Sequence, residues 1–436
     1  MNVYPYIDCQ GLGGAWTLGT VQTGGFELQH RASLGAFGDE IVEYNRELLG
    51  FGWTQDTGDG SHEWEPRQAA YLNGTPPCSG FSLLNNSGQA AAKRGKDGKN
   101  ARGIDSAIND CMKELITYAG FCTGADGNRG PEVVAFESVQ GAGKLGRPLM
   151  QALRDMLQEL TGEHYALTHV FMSGSSVGSA QMRHRYYPVF HRIPFGVEHP
   201  DPRKVVTYRD AIGDLQHLVL QWEPQLSLEP QSDWIIETGI RTGLVDSHIT
   251  YDPTNTGSKH LRIYATELLP YFNPGDNSTA AANRYIAEHG KMPDGADQWY
   301  NWETNEMKGF NGPRRIDPDQ PGYVLTGNGV GDFFHWAEPR HITVREAARL
   351  MGYPDNWSFT CTKGVPEASS LIGKCCPVQS GKWISTWVHR ALDGSPGSPG
   401  EEIGNNEYSF NCTLDYRRWP EEISGYKYQV KKKVAA

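Results

Sequence analysis

The chain has 436 residues, of which 38% are hydrophobic, and this composition supports a sizeable core in one large or two unequal domains. No apolar run approaches the ~20 residues of a membrane span, and the polar start has no basic leader followed by an apolar segment, so we expect a soluble cytoplasmic protein. A formal net charge of −11 excludes blanket attraction to nucleic acid, so any contact with DNA requires locally basic surface.

The first two hundred residues alternate between strand-like and helix-like patterns. Strands are predicted at 3–9, 69–72, 132–136 and 165–172, and helices at 37–49, 105–118 and 149–160. Strands that alternate with helices form a mostly parallel sheet with helices on both faces. The predicted fold class is therefore α/β, with a Rossmann-like sheet.

Residues suited to chemistry follow three of these strands directly. The turn Gly11-Leu12-Gly13-Gly14 follows the first strand; such turns often bind nucleotides, although the pattern also occurs in plain tight turns. Pro76-Pro77-Cys78 follows the strand at 69–72, and Glu137 follows the strand at 132–136. Because ligands bind beyond the carboxyl ends of parallel strands, we expect these residues to share one edge of the sheet.

Cys78 is a candidate nucleophile. The two prolines before it fix φ near ~−65° and donate no N–H, while Gly80 permits angles closed to other residues, so the thiol can be held off regular structure. A small buried cysteine in a turn has the same local sequence, so this stretch leaves both readings open. The eight cysteines lack the C-x-x-C pairs of a structural zinc site, which favours reduced thiols and no metal.

The second half of the chain is less regular. Residues 205–335 are rich in Gly, Asn, Asp, Pro and aromatics, with strand-like pieces at 234–236 and 260–264, and they predict a smaller irregular lobe. Helical periodicity returns at 343–351 and 379–391. The Ser/Pro/Gly stretch at 395–400 is typical of a linker, and a basic tail follows it.

With these elements placed, the chain resembles the DNA (cytosine-5)-methyltransferases. The resemblance runs through six blocks in the family's order between residue 8 and about residue 392. The blocks are Gly11-Leu12-Gly13-Gly14, the PPCSGFS segment at 76–82, FESV at 136–139, QMRHR at 181–185, RHITVREAARL at 340–350 with YPD at 353–355, and IGKCCP at 372–377.

The resemblance implies a fold, a domain order and a partner. The fold is that of S-adenosylmethionine-dependent methyltransferases, with a catalytic and cofactor-binding domain at 1–204 and a target-recognition domain at 205–335. The chain returns to the catalytic domain at 336–394, and 395–436 form a linker and tail. Double-stranded DNA is the implied partner of a monomeric enzyme, with the target cytosine flipped out of the helix because stacking hides both faces of its carbon 6.

The family's chemistry implies four catalytic residues. Cys78 would add as a thiolate to carbon 6 of cytosine, so that carbon 5 can attack an activated alkyl group. Glu137 would carry or share a proton at N3 of the ring. Arg183 and Arg185 would supply an electropositive setting for the thiolate, and Arg185 would also hold the cytosine carbonyl.

The resemblance also implies contacts with cofactor and DNA. The expected cofactor residues are Asp8, Gly11, Leu12, Gly13, Gly14, Asp59, Pro76 and Lys374. The expected DNA contacts are Ser82, Lys93, Arg94, Gln181, Arg241 and Arg262. The basic loop that carries Lys93 and Arg94 suits a closing arm that touches phosphates, but an ordinary solvated loop has the same composition.

Three positions depart from the family pattern. Ser33 stands where the family usually places the acid that holds the cofactor ribose, and Ser138 replaces an asparagine after the catalytic glutamate. Lys374 replaces an asparagine that lies beside the cofactor in relatives. An ammonium there would repel the sulfonium of S-adenosylmethionine but attract the added carboxylate of carboxy-S-adenosylmethionine, which predicts carboxymethyl transfer. The alternatives are plain methyl transfer and a lysine that reaches solvent or pairs with an acid.

Two other functions stay open at this stage. One is a catalytically inactive relative that binds DNA as a scaffold, and the four catalytic residue types argue against it. The other is transfer to cytosine in RNA, which some relatives perform, and the long lobe before Arg340 favours duplex DNA over it. The sequence does not distinguish a restriction–modification enzyme from a bacteriophage enzyme.

Overall fold

The computed structural model describes residues 2–32, 38–55, 67–77, 81, 109–198, 205–217, 221–222, 247–252, 259–308, 312–327, 329–397 and 403–410. The chain divides into two compact units, Met1–Lys204 with Cys375–Ala436, and Val205–Lys374. The second unit extends beyond residue 335, which is the end of the target-recognition domain predicted from the sequence. The functional roles assigned to these segments stay predictions.

The described residues contain fifteen strands. In chain order they are β1 (Tyr4–Cys9), β2 (Phe26–Ala32), β3 (Thr54–Gln55), β4 (Tyr71–Gly74), β5 (Val133–Phe136), β6 (Ser138–Val139), β7 (Ala166–Ser173), β8 (His184–His191), β9 (Gln221–Trp222), β10 (Ile249–Thr250), β11 (Tyr300–Asn301), β12 (Glu306–Met307), β13 (Arg314–Arg315), β14 (Phe333–Phe334) and β15 (Glu407–Phe410).

The same residues contain eleven α-helices. They are α1 (Ala15–Val21), α2 (Asp39–Tyr44), α3 (Asp110–Phe121), α4 (Gln140–Leu145), α5 (Arg147–Thr161), α6 (Tyr208–Ile212), α7 (Lys259–Ile263), α8 (Ser278–His289), α9 (Val344–Leu350), α10 (Val365–Lys374) and α11 (Val378–Leu392). Short 3₁₀ turns lie at Arg46–Leu49, Gly174–Val177, Gly213–His217, Leu269–Tyr271, Asp297–Trp299 and Gly329–Asp332. None of these helices has the length and apolar character of a membrane span.

The first unit is built on one sheet in the order β15-β7-β8-β5-β4-β1-β2-β3, with β6 paired to β8. Its strand pairs are parallel except for those of β8, which runs antiparallel to β5, β6 and β7. The predicted mostly parallel α/β fold is confirmed. No strand was predicted from the sequence over His184–His191, so this antiparallel strand was missed.

Helices cover both faces of this sheet, which explains why its central strands are largely buried and mostly apolar. Leu153 and Leu157 recur at helical spacing on α5 and pack with Leu115 of α3 against one face. On the other face, Trp16 of α1 meets the ring of Tyr187, with ring centroids 5.6 Å apart. α11 packs against α1 on this second face.

Two predictions from the sequence were wrong. The segment predicted as a strand at 260–264 is α7, which continues as a π-helical turn at Tyr264–Leu268. The buried side chains Tyr264 and Leu268 are four residues apart, as on one face of a helix. Leu268 lies outside the five residues from which the strand was predicted. The linker and tail predicted at 395–436 contain β15, which extends the sheet by pairing in parallel with β7.

A buried ion pair organises part of the second unit. Glu346 receives two N–H bonds from Arg340, each of 2.8 Å, and the Thr343 side chain caps α9 in a capping box with Glu346. Three buried histidines belong to the same unit. Burial lowers the pKa of His248 to about 3, and those of His335 and His341 to about 4.

These histidines predict that the protein loses stability in mild acid. An unfolded histidine has a pKa of ~6.5, so between this value and about 4 the unfolded chain binds more protons than the fold does. Stability is therefore lost as the pH falls through this window, by about 2 kcal/mol per histidine between pH 7 and pH 5. Between pH 7 and pH 5, the free energy of unfolding in urea should fall by about 2 kcal/mol less for His341→Phe than for the unaltered chain. His289→Phe, at an exposed histidine of the same unit, is the control, and equal pH slopes for both variants would contradict the prediction.

Candidate active site

The carboxyl ends of three neighbouring strands are aligned at one edge of the sheet. Cys9 at the end of β1 pairs with Gly74 of β4, and Gly74 pairs with Phe136 of β5. Backbone hydrogen bonds continue this register past the strands, from Thr75 N–H to Cys9 O at 3.3 Å and from Glu137 N–H to Gly74 O at 2.8 Å. The glycine-rich turn, Pro76 and Glu137 therefore leave the sheet side by side.

The glycine-rich turn is tight and has little space for side chains. Gln10 and Leu12 have positive φ angles of 56° and 46°, and the N–H of Gly14 closes the turn on Gly11 O at 2.8 Å. A Cβ atom at Gly11 would overlap the Asp8 carboxylate, so glycine is required there. Gly14, with φ of 75°, then leads into α1.

Asp8 is fully buried beneath this turn and is held by two donors. Its Oδ2 atom accepts from Thr17 Oγ1 at 2.8 Å and from Arg31 Nε at 2.9 Å. Its Oδ1 atom has no hydrogen-bond partner among the described residues. A buried carboxylate oxygen without a partner is costly, so this atom favours a hydrogen-bond donor from a ligand.

Arg31 is a component of the site that the sequence analysis missed. It lies directly opposite Asp8 on β2, is almost fully buried, and also donates to Gln55 Oε1 at 2.9 Å. The sequence feature that could have identified Arg31 is its charge near the end of a segment that is about half apolar, two positions before Ser33. Ser33 itself lies outside the described residues.

A buried cluster of one acid and two arginines occupies the end of β5. Glu137 forms an ion pair with Arg185, and both side chains are largely buried. This pairing follows from the sheet, because β6 continues from Glu137 and its Val139 lies opposite Arg185 on β8. Burial, and to a smaller extent the neighbouring Arg185, lower the pKa of Arg183 to about 10, so Arg183 still carries its charge at neutral pH. The cluster can both donate and accept hydrogen bonds with a polar ring.

Two adjacent thiols complete the described site. Cys375 and Cys376 are both buried, and the N–H of Gly13 donates to Cys375 Sγ at 3.2 Å. Burial raises the pKa of Cys376 well above its usual value, and nearby Glu137 raises it further. The sequence analysis assigned these cysteines no role beyond their block. Across the described residues, no three Cys, His, Asp or Glu side chains are grouped as metal ligands.

The remaining predicted residues are distributed unevenly. Several lie outside the described residues, namely Cys78, Asp59, Ser82, Lys93, Arg94 and Arg241. Gln181 is fully buried in the first unit, where Pro76 is also buried. In the second unit Arg262 is exposed on α7, and Lys374 is the exposed last residue of α10. Their contacts with DNA or cofactor stay predictions.

Comparison with known proteins identifies one family. The family model of the C-5 cytosine-specific DNA methylases matches residues 54–388. The type II methyltransferase M.XorII of Xanthomonas oryzae is 24% identical over 346 residues, which cover 77% of this chain and 72% of that protein. The type II methyltransferase M.BbvI of Brevibacillus brevis is 42% identical over 73 residues, but these cover only 16% of this chain and 19% of that protein.

A similar fold occurs among solved structures. A protein encoded within a prophage of Escherichia coli, described as a DNA modification methyltransferase, has a TM-score of 0.57 at 16% identity. The similarity covers 89% of this chain and 99% of that one. At this low identity the likeness establishes the fold alone.

The buried Asp8–Arg31 pair predicts that loss of Arg31 strongly destabilises the fold, and that removing the charge of Asp8 as well restores much of the lost stability. Arg31→Met leaves a buried carboxylate without its cation and should lower the free energy of unfolding by about 3–5 kcal/mol. Adding Asp8→Asn should recover much of this loss, because the unpaired charge is then removed. Arg154→Met is the control, since Arg154 pairs with Asp155 on the surface of α5 and should lose less than about 1 kcal/mol. Urea unfolding compares these three variants with the unaltered chain, and equal losses for Arg31→Met and Arg154→Met would refute the expectation.

Proposed function

The chain belongs to the C-5 cytosine-specific DNA methylase family, and we propose that it transfers a methyl group to carbon 5 of cytosine in double-stranded DNA. The observation that carries this proposal is the buried pair of Glu137 and Arg185 beside the strand end that leads into Pro76-Pro77-Cys78. A carboxyl and a guanidinium at this edge supply the hydrogen bonds that N3 and the carbonyl of a cytosine ring need.

The glycine-rich turn suits S-adenosylmethionine as the methyl donor. Gly11 leaves no side chain beside the Asp8 carboxylate. The Oδ1 atom of buried Asp8, which has no hydrogen-bond partner among the described residues, lies beside the turn as an acceptor for a polar group. When bound, the cofactor supplies a methyl group activated by a positive sulfonium. The roles of this chain are to bind it at the end of β1 and to align it with the neighbouring ends of β4 and β5.

The proposed reaction begins with the Cys78 thiolate. Its sulfur bonds to carbon 6 of cytosine, and the electron pair of the 5,6 double bond moves into the ring, where a proton from Glu137 at N3 stabilises it. Carbon 5 then bonds to the activated methyl group as the bond between this group and the sulfonium sulfur breaks. Loss of the proton on carbon 5, return of the N3 proton to Glu137 and departure of the thiolate restore the ring. Arg183 and Arg185 favour the thiolate electrostatically, and Arg185 holds the cytosine carbonyl.

Double-stranded DNA is the proposed substrate, with the reacting cytosine flipped into the site. The second unit is proposed to contain the residues that recognise the target sequence. Its exposed Arg262 is a candidate DNA contact, as is Arg241 of the same unit. Ser82, Lys93, Arg94 and Gln181 are the candidate DNA contacts in the first unit.

The covalent step predicts that DNA containing 5-fluorocytosine becomes trapped on the protein. Fluorine on carbon 5 cannot leave as a proton does, so the thiolate is not released and the adduct survives denaturing electrophoresis. With S-adenosylmethionine, the unaltered chain should form the adduct and Cys78→Ala should form none. The control Cys111→Ala, at a half-buried cysteine of α3, should trap like the unaltered chain.

Three results would contradict the proposed reaction or favour another function. Transfer that persists in Cys78→Ala would refute the role of this thiol. Binding of duplex DNA without any trapping or transfer would favour an inactive scaffold. A matched RNA oligonucleotide that traps more than the duplex would favour an RNA enzyme.

Lys374 supports a second candidate, transfer of a carboxymethyl group from carboxy-S-adenosylmethionine. In this family an asparagine beside the cofactor occupies the position that the lysine has here. Like charges ~4 Å apart repel by about 1 kcal/mol in water and about 4 kcal/mol at an effective dielectric constant near 20. A carboxylate on the transferred carbon would replace this repulsion with attraction. Lys374 is the exposed last residue of α10.

Mass analysis of nucleosides distinguishes the two transfers. Purified protein is incubated with duplex DNA and either cofactor, and carboxymethyl transfer predicts 5-carboxymethylcytosine from the carboxylated one. Lys374→Asn should lower this product at least tenfold and favour 5-methylcytosine, because the attracting charge is gone. Lys363→Asn, at an exposed lysine of the same unit, should leave the product ratio unchanged. If only 5-methylcytosine appears in every reaction, the carboxymethyl candidate is wrong.

A further inference from the structure

We propose that Cys375 is a positioning residue whose sulfur sets the glycine-rich turn in its cofactor-binding shape. The inference deepens the proposed function and rests on its assignment of the turn to the cofactor. Its central observation is the hydrogen bond from Gly13 N–H to Cys375 Sγ, 3.2 Å long and buried. Gly13 and Cys375 are 362 positions apart, so a distant segment of the chain fixes this turn.

The turn needs a partner of this kind because its backbone is unusual. Leu12 has a positive φ of 46°, a conformation that non-glycine residues rarely adopt. The adjacent Gly13 is buried, so loss of the hydrogen bond from its amide to Cys375 would add a further penalty. The sulfur provides an acceptor at this point without requiring any additional residue in the turn.

The segment after Cys375 is firmly seated on the first helix, so its sulfur has a fixed position. A Cβ atom at Gly381 would lie 2.8 Å from Trp16 Cδ1, and one at Gly19 would lie 2.7 Å from Lys382 N, so α1 and α11 touch at their backbones. The hydroxyls of Thr20 and Ser385 are also hydrogen-bonded at 2.7 Å. These contacts hold α11, and with it the preceding Cys375, against the helix that begins at the turn.

A second observation connects the same turn to a ligand. Asp8 lies directly under Gly11, is fully buried, and keeps its Oδ1 atom without a partner among the described residues. The Cys375 bond therefore fixes one side of a turn whose other side presents a buried acceptor. Loss of the sulfur would let the turn relax and move Gly11 relative to this acceptor, which weakens cofactor binding without touching the cytosine cluster.

Calorimetric titration of the full chain with S-adenosylhomocysteine tests this inference. Cys375→Ala removes the sulfur that accepts from the Gly13 amide and should raise the Kd about tenfold, while Cys375→Ser keeps an acceptor and should stay within about threefold of the unaltered chain. At saturating cofactor, kcat in Cys375→Ala should be nearly unchanged. Cys122→Ala is the matched control, because Cys122 is a buried core cysteine whose thiol donates to Tyr118 O of α3. The Kd of this variant should be unchanged.

The outcomes separate this inference from the proposed function. If the unaltered chain does not bind S-adenosylhomocysteine, the proposed function fails and this inference fails with it. If the unaltered chain binds and Cys375→Ala binds equally well, only this inference is wrong. Should Cys375→Ala fail to fold, hydrogen exchange on the unaltered chain decides. The peptide that contains Gly13 should then exchange slowly, and exchange at the rate of an open turn would overturn the inference.

Discussion

The shared parallel register of β1, β4 and β5 is the constraint on which the site depends. Cys9, Gly74 and Phe136 lie in one row across the sheet, so the residues that follow them leave at the same height. Helices on both faces bury these mostly apolar strands and leave little freedom for a register shift. A polar site is thereby assembled at the edge of an apolar sheet from three segments that are far apart in the chain.

Buried charge at this edge is balanced between neighbouring strands. Asp8 on β1 is paired with Arg31 on β2, and Glu137 after β5 is paired with Arg185 on β8. Each acid would be costly to bury alone, and each has its guanidinium on the strand beside it. Arg183 adds one further positive charge near Glu137. In the proposed reaction this excess favours a thiolate and an electron-rich ring, so the balance that permits burial also suits the chemistry.

The sequence predicted what local patterns and ordered motifs encode, and it missed what depends on distant pairing. Apolar strands followed by Gly11, Pro76 and Glu137 indicated both the α/β fold and the common edge. Arg31 was missed because its meaning comes from lying opposite Asp8, and this register is not visible in either segment. β15 was missed for a similar reason, since Glu407–Phe410 is too short to be distinguished from a tail until β7 provides a partner. At 260–264 the window was too short to separate helix from strand.

The two ends of the first unit depend on each other. The turn at Gly11–Gly14 acquires its acceptor for the Gly13 amide from Cys375, and the α1 backbone acquires its close partner from α11. Closing so long a loop costs entropy that grows only slowly with length, so a large intervening unit can be accommodated between these segments. This entropy must still be lost before the turn becomes fixed. The proposed cofactor site therefore belongs among the later parts of the first unit to become ordered, after the local strand and helix pairs that surround it.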